Sequence, residues 1–322
     1  MRLRINRFTS ARRNLIFGNT MKSSLVQPHF VVSGENVDLQ ISGMPGINRQ
    51  SVDVLIKTIG KDMKIGLKSH MLFLVMDDYH RDSNASHASD PNTPLHTAVR
   101  LLKEEYGDEI VIMTDVCLCT GTDHGHCGVL VDNKIENDQS VNELIRIAIS
   151  HAEAGVDYVA ASDMMDGRVK AMREKFEELG FHSTGILSYS VKYASSFYGP
   201  FREAAESSPK FGDRRSHQMD FRSGYDEAIM EAKIDQEEGA DILMIKPGLP
   251  YLDVIRKVSD EVTRPLAVYN VSGEYAMVMN SNPNPDERGK MITEILQSFT
   301  RAGADVIVTY HAREAIQKEL IE

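Results

Sequence analysis

The sequence contains only three cysteines in 322 residues. So small and odd a number excludes a disulfide framework. It has no apolar run long enough to span a bilayer and no signal-peptide pattern, so no membrane partner is expected and a cytoplasmic location is. It lacks low-complexity tracts, an evident interdomain linker and a glycine-rich phosphate loop. A net charge of −11 argues against nucleic acid as a partner. Acidic residues are missing altogether from residues 1–34, which carry Arg2, Arg4, Arg7, Arg12, Arg13 and Lys22. An Arg-rich, acid-poor start fits an organelle transit peptide. It fits equally a basic arm that docks on an acidic neighbouring subunit. The arm is the preferred reading, because the segment runs directly into strand-like sequence. The expected division is therefore an arm over 1–25 and a catalytic body over 26–322.

What is present begins with the position of those cysteines. All three fall within eleven residues, in Asp115-Val-Cys117-Leu-Cys119-Thr-Gly-Thr-Asp123-His124-Gly-His126-Cys127. Buried cysteines often serve as small hydrophobes. This C-x-C-x7-C spacing, however, lets one loop wrap three soft thiolates around a tetrahedral ion, leaving the fourth position open as in catalytic zinc sites. The preceding residues, 109–116, read as a buried strand, so the metal would sit where a strand passes into a loop.

Apolar runs of strand length recur at 26–32, 71–76, 109–116, 157–162, 184–190, 241–246, 265–271 and 305–310. They lack strict alternation, as parallel strands buried on both faces do. Helical stretches lie between them, for example 141–154, 167–179, 225–238 and 286–302. Three joints echo one another: Glu153-Ala-Gly-Val-Asp157, Glu238-Gly-Ala-Asp241 and Arg301-Ala-Gly-Ala-Asp305. The glycine suits a helix C-terminal position with positive φ, and the aspartate opens a strand. Eight strands with repeated αβ joints predict an α/β fold, a (β/α)8 TIM barrel with an extended N-terminal arm. A doubly wound open sheet is the alternative, but it would normally carry an early glycine-rich loop.

Barrel active sites lie at the C-terminal strand ends. Those ends would bear Asp115 with its cysteine loop, Ser162-Asp163, Lys192, Lys246, Ser272-Gly-Glu274 and Tyr310. A lysine at the buried end of an apolar strand escapes the cost of burial by a depressed pKa, which makes a neutral amine that attacks carbonyls. Either lysine alone could be an ordinary strand-end residue paired with a carboxylate or reaching water. Two on one face favour Schiff-base chemistry. Between them, residues 193–218 mix Gly, Pro, Ser, aromatics and arginines, a composition that suits an active-site lid with arginine clamps for a carboxylate. A solvated basic loop is the plainer alternative.

With these features in place, the chain resembles the porphobilinogen synthase (5-aminolaevulinate dehydratase) family, in its zinc-dependent branch. The matching strings are Met44-Pro-Gly46, the cysteine loop, Ser162-Asp-Met-Met-Asp-Gly-Arg168, Ser188-Tyr-Ser-Val-Lys192, Phe197-Tyr-Gly-Pro-Phe-Arg202, Gly212-Asp-Arg214, Lys246-Pro-Gly-Leu-Pro-Tyr-Leu-Asp253 and Val271-Ser-Gly-Glu-Tyr-Ala-Met277. They run in family order from about 40 to 320. The resemblance implies a lyase of tetrapyrrole synthesis that condenses two 5-aminolaevulinate molecules to porphobilinogen with loss of two waters, and a homo-octamer.

By the same resemblance, Lys246 forms the Schiff base with the first substrate and Lys192 holds the second. Cys117, Cys119 and Cys127 ligate zinc. Arg202, Arg214 and Gln218 grip the second substrate's carboxylate. Ser272 and Tyr310 grip the first, and Asp115 and Ser162 lie near the first substrate's amino group. Glu231 matches an allosteric magnesium ligand, although by itself it reads as a solvated helix glutamate. The chain departs from the family pattern before Thr20, after Cys119 and over 78–94. Bottom-up, the condensation needs two activated ketones, two carboxylate clamps and proton transfer, for which Asp115, the second lysine or the metal site are candidates. A class I aldolase-like lyase would need one lysine, and a zinc-binding scaffold none.

Overall fold

The structure, a computed structural model, describes residues 2–321. Its centre is a closed barrel of eight parallel strands: β1 Leu25–Val32, β2 Ser69–Leu74, β3 Val111–Val116, β4 Tyr158–Ala161, β5 Gly185–Lys192, β6 Ile242–Lys246, β7 Leu266–Asn270 and β8 Val306–Thr309. Each pairs with the next, and β8 closes on β1 through Leu25↔Ile307 and Val26↔Val308. The sequence-predicted strands all occur, with ends shifted by a few residues. The open-sheet alternative is excluded by that closure.

The pleat sorts the side chains into two cores. Val26, Phe30, Met71, Phe73, Met113 and Tyr158 belong to the cluster filling the barrel, while Val31, Leu72, Ile112, Val159, Ile186 and Leu243 pack outward against helices. Both faces of every strand are thus buried, which is why the strands read as continuous apolar runs. The surrounding helices are α2 Val52–Lys64, α3 Pro94–Tyr106, α4 Asn137–Ala154, α5 Arg168–Leu179, α6 Tyr225–Glu238, α7 Leu252–Ser259, α8 Ser272–Ser281, α9 Pro285–Ala302 and α10 Ala312–Gln317, with α1 Ser10–Phe17 in the arm. No helix among the described residues is long and apolar enough to cross a membrane.

The repeated joints have a common geometry. Gly155, Gly239 and Gly303 end α4, α6 and α9 with φ of 98°, 111° and 115°. The aspartate that follows turns back onto the preceding strand. Asp157 accepts the Ile112 amide at 2.8 Å, Asp241 accepts Ile186 at 2.9 Å, and Asp305 accepts Leu266 at 2.8 Å. Each carboxylate thus satisfies a backbone N–H in the first two residues of a neighbouring strand.

The basic arm carries secondary structure of its own. It folds into a 3-10 turn, Ile5–Arg7, and α1, capped by Thr9, which accepts the Arg12 amide at 3.1 Å. These sit beneath their own barrel. Ile5 is fully buried in the inner core, and Asn6 donates to the Asp241 carbonyl at 2.9 Å. Arg12 donates to Asp157 at 3.0 and 2.7 Å, and Arg2 pairs with Glu177 at 2.6 Å. Two of the arm's cations are therefore neutralised within the chain. The arm still exposes Leu3, Phe8 and Phe17.

Candidate active site

Lys192 and Lys246 are register partners at the C-terminal ends of β5 and β6. Both are only 5% exposed. Lys192 donates to the carbonyl of Ser162, at the end of β4. Lys246 Nζ makes no hydrogen bond or ion pair among the described residues; it sits among aromatic faces, 4.3 Å from the centroid of Tyr269, 5.0 Å from Phe201, 5.1 Å from Tyr198 and 5.2 Å from Tyr189. Burial in this box pushes its pKa down to about 7, the neighbouring Lys192 charge adds to the effect, and Asp115 partly opposes it. Near neutral pH a large fraction of Lys246 is a free amine, the form that attacks a ketone.

Asp115, next to last in β3, faces the same mouth. Burial pushes it up to about 6, while the Ser162 hydroxyl and both lysines pull it down. A carboxyl in that range exchanges protons near neutral pH. Ser162 thus acts on both groups, its hydroxyl lowering Asp115 and its carbonyl accepting from Lys192.

Cys117, Cys119 and Cys127 are buried, with their sulfurs all within 4.8 Å of one another and Cys117 Sγ 3.2 Å from Cys119 Sγ. A tetrahedral ion with bonds of about 2.3 Å needs sulfur separations of roughly 3.8 Å, so small side-chain adjustments would close the set. Hydrogen bonds from Cys117 and Cys119 hold Cys127 well below the usual thiol range. One thiolate shared by three sulfurs is the donor chemistry that suits a soft metal ion. His124 and His126, inside the loop, do not join the sulfur cluster; His126 Nε2 lies 3.0 Å from the Phe211 carbonyl of the lid.

The lid is docked on this loop. Arg214 donates to the Gly125 carbonyl at 2.9 Å and also to the Ser207 carbonyl, and the Lys210 amide donates to the His124 carbonyl at 3.1 Å. Below it lies a cavity of about 540 Å³ lined by Ser195, Phe197, Arg202, Arg214, Arg215 and Tyr251 among others. Arg202 Nε, Arg214 Nε and both amide atoms of Gln218 are buried without partners. Leaving such groups unmatched is costly, and a bound carboxylate would satisfy the three N–H donors, Arg202 Nε, Arg214 Nε and Gln218 Nε2. Ser272 and Tyr310 are engaged: Ser272 Oγ accepts the Phe201 amide at 2.9 Å, and the Tyr310 hydroxyl lies 3.1 Å from that of Tyr269.

Glu231 is not a solvated helix glutamate. It is half-buried on α6, and burial pushes it up to about 7 against the pull of Arg168. Among the described residues no second and third ligand group gathers around it within one chain. The aromatic box around Lys246 was also not foreseen. Tyr189 lies on β5, Tyr198 and Phe201 in the lid and Tyr269 on β7, three separate segments that carry no joint signal in sequence. A second group, His29, Asp62 and His70, also lies unannounced, between the barrel and α2. Most of its atoms are already engaged, since Arg313 donates to Asp62 at 2.6 and 2.8 Å and the two histidines bond one another through His29 Nε2 and His70 Nδ1 at 3.1 Å, while His70 Nε2 is buried without a partner.

A profile of the delta-aminolevulinic acid dehydratase family matches residues 1–318. A delta-aminolevulinic acid dehydratase of Methanothermus sociabilis is 48% identical over 318 residues, covering 98% of each chain. Its namesake in Bacillus subtilis (strain 168) is 44% identical over 294 residues, covering 91% of this chain and 90% of that one. Among solved structures, the delta-aminolevulinic acid dehydratase (porphobilinogen synthase) of Toxoplasma gondii ME49, in complex with the reaction product porphobilinogen, superposes with a TM-score of 0.90 at 43% identity, covering 99% of this chain and 91% of that chain.

Proposed function

The chain belongs to the delta-aminolevulinic acid dehydratase family, and from that premise we propose how its barrel mouth joins two 5-aminolaevulinate molecules into porphobilinogen. The observation that carries the proposal is the pair of buried lysines in register on β5 and β6, one of them free of hydrogen bonds and held near neutrality.

The reaction forms one C–N and one C–C bond between the two substrates and releases each ketone oxygen as water. Lys246, as the neutral amine, attacks the ketone of the first substrate and expels water to form an imine. Protonated, that imine is an electron sink that activates the adjacent carbon. Lys192 engages the ketone of the second substrate in the same way. Both amines are released unchanged when the ring closes, so the lysines are not consumed. Asp115, placed beside both and titrating near 6, takes and returns the protons. Ser272 and Tyr310 bind the first substrate's carboxylate. Arg202, Arg214 and Gln218 bind the second's beneath the lid, where their unpartnered donors already lie buried. Ser162 holds Lys192 and flanks Asp115, near the first substrate's amino group.

Cys117, Cys119 and Cys127 would hold a zinc ion, with one position left open for Lewis-acid assistance to a substrate oxygen or nitrogen. Magnesium as an allosteric ion at Glu231 would need ligands from outside this chain. Self-association to a homo-octamer is the expected assembly, and light scattering of the purified protein reads it directly.

Borohydride reduction with one equivalent of 5-aminolaevulinate tests the division of labour. Label should appear on Lys246. Lys246→Ala should abolish trapping of the first substrate, and Lys192→Ala should leave it intact while pyrrole formation stops. Label on Lys192 in the unsubstituted protein would reverse the assignment.

A further inference from the structure

Glu274 is buried in the wall of the mouth, 1% exposed and with no cation against it, and burial pushes its carboxyl up to about 7 while the four N–H groups bonded to it favour the charged form. Such a carboxylate is costly to bury unless its oxygens are fully bonded. Its four partners come from two separate strand ends. Oε1 accepts the backbone amides of Gly248 at 3.0 Å and Leu249 at 2.8 Å. Oε2 accepts the Val271 amide at 2.9 Å and the Asn270 side-chain amide at 2.7 Å. The first pair belongs to the turn immediately after Lys246. The second pair ends β7 and leads into Ser272.

The network continues one strand further. Thr309 Oγ1 donates to Asn270 Oδ1 at 2.9 Å and accepts the His311 amide at 3.1 Å, so it brackets Tyr310. One carboxylate, directly and through Asn270, therefore joins the ends of β6, β7 and β8, and those ends carry Lys246, Ser272 and Tyr310. Glu274 is also the third residue of α8, where its charge and its bond to the Val271 amide suit the helix N-terminus. The turn it holds is tightly seated, since a Cβ on Gly248 would lie 2.6 Å from the Phe299 ring.

We propose that Glu274 is a positioning residue for the first substrate: its carboxylate fixes the amine of Lys246 relative to the two hydroxyls that hold the substrate's carboxylate. The proposal rests on the reading of Lys246 as the first Schiff-base lysine. Glutamine fills the same volume but cannot replace the carboxylate. It has one acceptor oxygen, and its NH2 must face two N–H donors whichever way it turns. One strand end is then released from the other.

The test is the single-turnover rate of borohydride trapping on Lys246 in Glu274→Gln, followed by mass spectrometry, with metal content, subunit mass and melting temperature measured alongside. The maximal trapping rate should fall about 10- to 100-fold, as expected for misplacement of a reacting group by up to about 1 Å, with little change in the substrate concentration giving half that rate. Metal content should stay at the unsubstituted level. A trapping rate within twofold of the unsubstituted protein overturns the proposal, including when only the melting temperature falls. If Glu274→Gln does not fold, Thr309→Val loosens the far end of the same network and should slow trapping several-fold; an unchanged rate there overturns it. Absence of label on Lys246 in the unsubstituted protein would overturn the Schiff-base reading itself, and this proposal with it.

Discussion

An amine attacks a ketone only when neutral, so the environment of Lys246 sets the working pH of its chemistry. An ordinary lysine titrates near 10.4, and its nucleophilic fraction climbs about tenfold per pH unit up to that point. With its pKa brought down to about 7 by the aromatic box and by Lys192, Lys246 should trap substrate faster as pH rises from 6 through 7, then level off by pH 8. Single-turnover trapping across pH 5.5–9.5 reads this directly, and a rate still climbing steeply at pH 9 would refute it. The causes also give signs. Phe201→Ala admits water and should move the inflection up, because burial is the largest cause of the depression. Asp115→Asn removes a charge that holds the lysine's proton and should move the inflection down, even though it stops turnover.

At the scale of the element, the cysteine loop and the lid behave as one unit. The loop supplies the sulfurs, and the lid's Arg214 is bonded to the loop's Gly125 carbonyl. Chelation should abolish pyrrole formation and zinc should restore it, while magnesium alone should not. Replacing Cys117, Cys119 and Cys127 together with Ala should reproduce the chelated state; full activity in that metal-free variant would sink the zinc reading. Ligation requires thiolates, so metal affinity should weaken as pH falls. The spacing of the three cysteines made this loop legible in sequence, since ligands brought together by a short loop are also neighbours in the chain. The aromatic box was not legible. Its rings arrive from β5, the lid and β7, and nothing local ties Tyr269 to Phe201.

At the scale of the molecule, the arm is part of the fold. Arg12 is buried against Asp157, a residue that also accepts the Ile112 amide and pairs with Lys103 at 3.2 Å. Removing one partner of a buried pair strands the other, at a cost of about 3–5 kcal/mol. The remaining lysine places Arg12→Ala near the lower end, about 3 kcal/mol. Urea unfolding measures it, and a loss below about 1 kcal/mol would mean the arm is dispensable to the barrel. Two cations of the basic segment, Arg2 and Arg12, pair with Glu177 and Asp157 of the same chain.

The barrel itself was determined by the sequence alone. Eight apolar runs, and helices closed by glycine and followed by aspartate, encode strand, turn and register locally. Backbone hydrogen bonding and burial leave few other ways to satisfy them. The lysines, the cysteines and the arginine-bearing lid were legible for a related reason, as their meaning lies in residue type and place along a strand or loop. Only the tertiary structure decided what surrounds them. The depressed pKa of Lys246, the unpartnered atoms of Gln218 and the four bonds of Glu274 depend on groups drawn from distant segments. Burial and charge act through space, and chain order does not record that distance.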